Sequence, residues 1–147
     1  MTARDTAMMI WYEHLETPYR WGGDDPEGGF DCSGLVIEGL KSVGVLPRKG
    51  DWKAVELLNR FRDRPRVARN DIRRGMLVFW ERTKPDGTLY IGHVEIVFRI
   101  LEDGTILTIG ASGGGSKTLT REDAVRQNAF VRIRPLVEPY AAVIDPF

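Results

Sequence analysis

The first sixty residues place their apolar side chains at the spacing of α-helices. Apolar positions three and four apart predict a helix over residues 3–15. A second helix is predicted to begin at Cys32, with Asp31 as its N-cap and Gly44 as its natural stop. A third helix is predicted after Asp51, which is its candidate cap. The side chains expected to face inward from this third helix are Trp52, Val55, Leu58 and Phe61.

From residue 76 onward, short apolar runs alternate with turn residues, which is typical of β-strands. The predicted strands cover residues 76–80, 90–100 and 105–109, and a last strand runs through Phe130, Val131 and Ile133 until Pro135 ends it. A capping box that starts at Thr120 predicts a short helix to about Asn128. Helices therefore come first and hairpin-linked strands second. This order predicts an α+β fold in which N-terminal helices pack on a central antiparallel sheet.

The length and the charge balance narrow the class of protein. A chain of 147 residues suits one domain, predicted over residues 1–147. Lys and Arg number 21, and so do Asp and Glu, so the formal net charge is zero and nucleic acid is not expected as a partner. No segment approaches the roughly 20 apolar residues of a membrane span. The charged N-terminus lacks the apolar core of a secretory signal, so we expect synthesis in the cytoplasm.

The chain contains a single cysteine, Cys32, so no internal disulfide is expected. A thiol becomes a good nucleophile when its thiolate is stabilised, and a helix N-terminus does this with unpaired N–H groups and a positive dipole end. The same N–H groups can bind the oxyanion of a tetrahedral intermediate. The alternative is a buried structural cysteine, a frequent state of this residue type.

Four segments around and after the cysteine form a long and specific pattern. They are Tyr19-Arg20-Trp21-Gly22-Gly23, Phe30-Asp31-Cys32-Ser33-Gly34-Leu35-Val36, Arg74-Gly75-Met76-Leu77-Val78-Phe79-Trp80 and Ile91-Gly92-His93-Val94. The first two segments resemble the nucleophile region of the NlpC/P60 family of cell-wall cysteine peptidases. The third resembles a later strand of this family, and the fourth resembles its catalytic-histidine strand. The resemblance extends from about residue 5 to about residue 115.

This resemblance implies a papain-like core and hydrolysis of amide bonds in peptidoglycan stem peptides, most often between D-glutamate and a diamino acid. It makes Cys32 the nucleophile and His93 the general base. Tyr19 matches a tyrosine that approaches the cysteine and helps the oxyanion site. Asp31 and Ser33 flank the nucleophile and shape the start of its helix.

One position departs from the family pattern. The family usually has a third polar residue on the strand after the histidine strand, where it orients the imidazole, and Gly110 occupies that position here. Glu95 is a candidate replacement, because strand side chains alternate and it lies on the same face as His93, roughly 6.5 to 7 Å away along the strand. The alternatives are that Glu95 is an exposed strand residue, or that a backbone carbonyl or a water orients the ring.

No cofactor or metal is expected. The acidic loop over residues 24–27 lacks the spacing of an EF-hand, and one cysteine with two separated histidines does not suit a zinc site. The second histidine, His14, lies beside charged residues on the first predicted helix and is expected at the surface.

The leading hypothesis is a metal-independent cysteine hydrolase of peptidoglycan stem peptides. Without wall-binding repeats, such a domain suits a phage or prophage tail component, or an effector that a secretion machine injects to act at the cell wall. Two alternatives stay open. One is a catalytically inactive binding or structural module of the same fold, and the other is an acyltransferase or deamidase that uses the same Cys-His pair.

Overall fold

The computed structural model describes residues 1–25 and 29–147; Pro26 and Glu27 of the predicted acidic loop lie outside this part of the chain. Its elements are α1 (Ala3–Glu13), β1 (Asp24–Asp25), β2 (Gly29–Phe30), α2 (Cys32–Ser42), α3 (Ala54–Arg60), β3 (Leu77–Thr83), β4 (Leu89–Ile100), β5 (Ile106–Ser112), α4 (Arg121–Gln127), β6 (Phe130–Pro135) and β7 (Ala142–Ile144). Strands β3 to β7 form one antiparallel sheet in the order β6-β5-β4-β3-β7. The predicted α+β class is confirmed.

Helices α2 and α4 begin at the capping residues that the sequence predicts. Asp31 is the N-cap of α2, and its carboxylate accepts a hydrogen bond from the Gly34 N–H at 2.7 Å. Thr120 caps α4 in a capping box with Asp123. Helix α1 packs on α2 through Trp11, whose indole N–H donates to the Leu35 carbonyl at 3.0 Å. The Asp31 cap and the hydrogen bond from Trp11 together fix the direction in which the first turn of α2 points.

The sheet separates two apolar clusters because strand side chains alternate between its faces. Leu77 and Phe79 of β3 point to the main core, which α1, α2 and α3 cover. Val78 and Trp80 point to a smaller cluster on the opposite face. None of the helices in the described residues is long and apolar enough to cross a membrane.

A third helix follows Asp51, as the sequence predicts, but Asp51 is not its cap. It begins at Ala54 with Lys53 at the N-cap, and the Asp51 carboxylate instead accepts a hydrogen bond from the adjacent Trp52 N–H at 3.0 Å. Val55, expected to face inward, is 45% exposed. Phe61 is buried and Trp52 and Leu58 pack against the core, as predicted, so one face of the helix meets the core along its length.

The strand through residues 130–135 is not the last one. Strand β7 follows it and pairs with β3, with Leu77 opposite Ile144. Its three residues are buried, but a three-residue strand is too short to show a periodicity in the sequence.

Candidate active site

Cys32 is the first residue of α2 and lies in the wall of a cleft. The backbone of the preceding loop folds onto this helix start, because the Asp31 N–H donates to the Gly23 carbonyl at 3.0 Å. A Cβ built on Gly34 would lie 2.1 Å from that same carbonyl oxygen, so the close approach requires glycine there. Burial raises the pKa of Asp31 above its ordinary value, although the hydrogen bond from Gly34 opposes this shift.

His93 lies on β4, directly opposite Trp80 on β3, and its ring is tilted against the indole with 5.3 Å between centroids. The imidazole is buried. Burial opposes protonation of the ring, but hydrogen bonds and charges from Cys32 and Glu95 outweigh it and raise the pKa of His93 to about 9. The structure thus brings the predicted nucleophile and the predicted base together.

Glu95 is fully buried, so the alternative that it is an exposed strand residue is wrong. One carboxylate oxygen lies 2.6 Å from His93 Nε2. The other accepts a hydrogen bond from Thr108 Oγ1 at 2.7 Å. The Arg134 guanidinium reaches both oxygens. Burial favours the neutral acid, but His93 and Arg134 outweigh it and lower the pKa of Glu95 to about 2.

Thr108 and Arg134 are not among the site residues that the sequence predicts. They face each other across the β5–β6 pairing, with Thr108 in register with Arg134. No motif surrounds either residue, so the only available signal was the alternation that places both on the same face of adjacent strands. Recognising it would have required the pairing register of two strands distant in sequence.

Tyr19 and Ser33 lie beside the cysteine. Burial raises the pKa of Tyr19 above its usual range, and the charges of Cys32 and Asp31 act in the same direction. A Cβ on Gly114 would lie 2.4 Å from the tyrosine ring, so the loop after β5 packs directly on it. The Ser33 hydroxyl lies 3.3 Å from the Asp31 carboxylate, to which it donates. Ser33 and Asp31 therefore stabilise the helix start as a pair.

The cleft has a volume of about 590 Å³. Five of the six predicted site residues line it: Tyr19, Asp31, Cys32, Ser33 and His93. Glu95 does not line the cleft but bonds to His93 within the sheet. The side chains of Trp21, Trp52, Arg82 and Tyr90 complete the walls.

His14, expected at the surface, is partly buried, because its ring packs against Phe30 at 5.0 Å between centroids. It does not line the cleft. Within residues 1–25 and 29–147, no three His, Cys, Asp or Glu side chains gather into a group that could hold a metal ion.

A model of the NlpC/P60 family matches residues 16–134. The chain belongs to the NlpC/P60 family. The match covers the cysteine helix, the histidine strand and the rest of the sheet as far as β6. The family resemblance of the sequence motifs is therefore confirmed.

Curated relatives share the same region. The chain is 33% identical over 102 residues to murein DD-endopeptidase MepH of Escherichia coli (strain K12), which is 65% of this chain and 35% of MepH. It is 30% identical over 95 residues to gamma-DL-glutamyl hydrolase of Bacillus subtilis (strain 168), covering 63% of this chain and 21% of that protein. The aligned region thus spans about a third or less of these relatives.

Solved structures support the fold of this NlpC/P60 protein. The NlpC/p60 domain of the peptidoglycan hydrolase SagA superposes with a TM-score of 0.62 at 23% identity, covering 97% of both chains. RipD of Mycobacterium tuberculosis, described as a non-catalytic NlpC/p60 domain protein adapted to peptidoglycan binding, superposes with a TM-score of 0.59 at 17% identity, covering 98% of this chain and 97% of RipD. At these identities the likeness concerns the fold alone.

Proposed function

We propose that this NlpC/P60 protein is a cysteine hydrolase that cuts amide bonds in peptidoglycan stem peptides. The observation that carries the proposal is the juxtaposition, in one cleft, of Cys32 at the start of α2 and His93 on β4. His93 is in turn bonded to a buried carboxylate. A nucleophile, a base and a group that orients the base are the three parts of nucleophilic acyl transfer.

The reaction proceeds in two balanced steps. His93 accepts the thiol proton, Cys32 Sγ attacks the amide carbon, and the C–N bond breaks as His93 passes that proton to the leaving amine. This leaves an acyl-thioester on Cys32. Water then gives a proton to His93 as it attacks the thioester carbon, the C–S bond breaks, and the thiol regains its proton from His93. The products are a carboxylic acid and an amine.

The start of α2 supplies the oxyanion site in this proposal. The Gly34 N–H is bonded to Asp31, whereas the N–H groups of Cys32 and Ser33 have no acceptor within the helix. Donors of this kind contribute about 3 to 4 kcal/mol each to stabilising the transition state. Tyr19, beside the cysteine, is proposed as a further contact for the oxyanion or the substrate. Asp31 and Ser33 hold the helix start in place.

The test is incubation of purified protein with defined stem peptides and analysis of the products by mass spectrometry. D-glutamyl–diamino acid is the bond we propose first, and a D-alanyl–diamino acid cross-link is the comparison, because MepH and the gamma-DL-glutamyl hydrolase are named for different bonds. Cleavage by wild type and none by Cys32→Ala or His93→Gln is expected. Cleavage that persists in Cys32→Ala would overturn the proposal.

A second candidate is a catalytically inactive module that binds peptidoglycan. Its support is the likeness to RipD and the glycine at position 110, where the family usually has a polar residue. This candidate predicts that folded wild type binds stem peptides without cutting any of them. An acyltransferase would instead pass the acyl group from the Cys32 thioester to an added amine, which labelling of Cys32 by substrate followed by that amine would detect. A deamidase would form the thioester from a side-chain amide, release ammonia and hydrolyse the thioester to a carboxylate, so ammonia release would detect it.

A phage tail component and an injected effector stay alternative settings for the same chemistry, since both deliver a hydrolase to the cell wall. We expect cells that export the wild-type protein to the periplasm to lyse, and cells that export Cys32→Ala to grow normally. If cells that export the folded wild-type protein to the periplasm grow normally, both settings are contradicted.

A further inference from the structure

The Glu95 carboxylate is unusual among the buried groups of this molecule because three side chains from three strands hold it. His93 comes from β4, Thr108 from β5 and Arg134 from β6. The side chain of Glu95 has no exposed surface, so water does not take the place of these partners. An ionised carboxylate can accept about four hydrogen bonds, and these three residues provide four.

Gly110 leaves the space that Glu95 occupies. A Cβ built on Gly110 would lie 2.3 Å from Glu95 Cγ, 2.9 Å from Cδ and 3.0 Å from Cβ. The shortest of these distances is to Cγ, which does not move when the carboxylate end of the side chain rotates, so such a rotation would not relieve the clash. A side chain at position 110 and the observed side chain at position 95 therefore exclude each other.

Arg134 binds the same carboxylate from the far side of β5. Its Nε lies 3.3 Å from one oxygen and its Nη2 bonds to the other, so the guanidinium forks over the carboxylate. Such a bidentate contact fixes the orientation of the carboxylate as well as its charge. Nη2 also lies 3.5 Å from His93 Nε2, so Arg134 and His93 share one oxygen.

We propose that Arg134 is a positioning residue, which together with Thr108 fixes the Glu95 carboxylate against His93 in the space that Gly110 leaves free. The residue that orients the imidazole has thereby moved from β5 to β4, and β6 contributes the cation that holds it there. This inference rests on the proposed hydrolase function. It adds two residues, from strands after the histidine strand, to the Cys-His-Glu arrangement.

The physical need for Arg134 follows from the length of glutamate. Glu95 lies only two residues from His93 on the same strand, and its side chain has three rotatable bonds. A buried carboxylate without a cation would take up a proton or turn toward other donors. Arg134 supplies the charge and Thr108 the directional donor, so one rotamer of Glu95 is selected.

The kinetic test compares Arg134→Met, Arg134→Lys and Thr108→Val with wild type. Loss of the partner that orients a metal-bound histidine typically costs about 10- to 100-fold in activity, and we take the same range for the group that holds the Glu95 carboxylate. We expect Arg134→Met to lower kcat by this range with little change in KM. It should also move the acidic limb of the pH profile to higher pH, because the pKa of Glu95 rises without the cation. Arg134→Lys should recover part of kcat, since lysine restores the charge without the fork.

Arg99→Met is the matched control, since Arg99 is an exposed arginine on β4. It should leave kcat and the pH profile unchanged. Folded Arg134→Met with wild-type kcat and an unchanged acidic limb would overturn the inference while leaving the hydrolase function intact. If wild type cuts nothing, the hydrolase function fails, and the next measurement still tests the role of Arg134.

That measurement is NMR of the imidazole, which needs no turnover. The chain has two histidines, so a His14→Gln background leaves His93 as the single imidazole signal. We expect a slowly exchanging Nε2–H proton in the His14→Gln protein and in the same protein with Arg99→Met added. We expect its loss in Glu95→Gln and in Arg134→Met. An Nε2–H signal that persists unchanged in folded Arg134→Met would show that Arg134 does not position Glu95.

Discussion

At the scale of single residues, the site depends on a pair whose side chains exclude each other. Gly110 carries no side chain, and Glu95 fills the space beside it with its own side chain. The glycine is therefore a condition for the glutamate. A buried carboxylate whose hydrogen-bonding sites all have partners is held more firmly in one orientation than a carboxylate with some sites unfilled.

Glu95→Gln should change the ionisation of His93. The carboxylate supports the imidazolium by hydrogen bond and charge, so its removal lowers the pKa of His93 from about 9. In the proposed mechanism the imidazolium protonates the leaving amine. It would lose its proton at lower pH in this variant, so the alkaline limb of kcat should move in that direction. We expect kcat to fall by about 10²- to 10⁴-fold, the range that acid–base catalysis contributes.

The control for this variant is Glu81→Gln, an exposed glutamate on β3, which should behave like wild type. Full activity of Glu95→Gln with an unchanged pH profile would rule out Glu95 as the orienting residue.

Gly110→Ala should destabilise the protein only while Glu95 is present. In wild type the new methyl group would meet Glu95 Cγ at 2.3 Å, and in a Glu95→Gly background that atom is absent. A double-mutant cycle by urea denaturation should give a coupling energy of about 0.5 to 3 kcal/mol. If the effects of the two substitutions on the free energy of unfolding were additive, the side chains at positions 110 and 95 would not exclude each other.

At the scale of elements, the cysteine is placed by the packing of α2 rather than by its cap alone. Gly39 lets Trp11 of α1 lie directly on α2, because a Cβ there would be 2.3 Å from the indole nitrogen. That nitrogen donates to the Leu35 carbonyl one turn earlier. The close contact fixes α2 against α1, and α2 carries Cys32 toward the histidine strand.

Gly39→Ala is therefore expected to destabilise the fold by about 1 to 3 kcal/mol, the usual cost of overpacking. The matched control is Gly115→Ala, since a Cβ on Gly115 would meet no atom within 4 Å. Thermal and urea denaturation of both variants measure the difference. Equal stability of the two variants would show that α1 moves away from α2 at little cost.

At the scale of the whole molecule, one sheet joins the parts of the site. Strand β4 lies at its centre and carries His93 and Glu95, while β5 and β6 bring Thr108 and Arg134 from one side. The helices cover the face that holds the main core. The single domain over residues 1–147 stays a prediction from length.

The buried pair makes stability depend on pH in both directions. The pKa of His93 is raised from 6.5 to about 9. Its contribution to the free energy of unfolding is therefore complete below pH 6.5 and is lost as the pH rises through 9. The pKa of Glu95 is lowered from 4.5 to about 2. Its contribution to the free energy of unfolding is therefore complete above pH 4.5 and is lost as the pH falls through 2. We expect the pair to stabilise the fold most between pH 4.5 and 6.5.

Urea denaturation of wild type and Glu95→Gln at a series of pH values checks this expectation. The difference in the free energy of unfolding between the two proteins should be largest in that window and should shrink on both sides. A difference that stays constant from pH 3 to pH 9 would show that the pair does not titrate as described.

The sequence by itself determined the features that depend on neighbouring residues. Helix α2 starts at Cys32 because Asp31 can cap it, and the strand of His93 follows from its apolar run and the turns on either side. The shared face of His93 and Glu95 also follows from the two-residue period of a strand. Capping, turn chemistry and periodicity act over a few residues, so they can be read locally.

Only the tertiary structure decided the features that depend on pairing between distant strands. Arg134 reaches Glu95 because β6 pairs with β5 in one register, and Gly110 meets Glu95 because β5 pairs with β4. A shift of one residue would turn these side chains to the other face. Strand β7 and the partial burial of His14 likewise arise from contacts with distant segments. Local sequence does not contain the register, so the environment of the imidazole emerged only from the folded sheet.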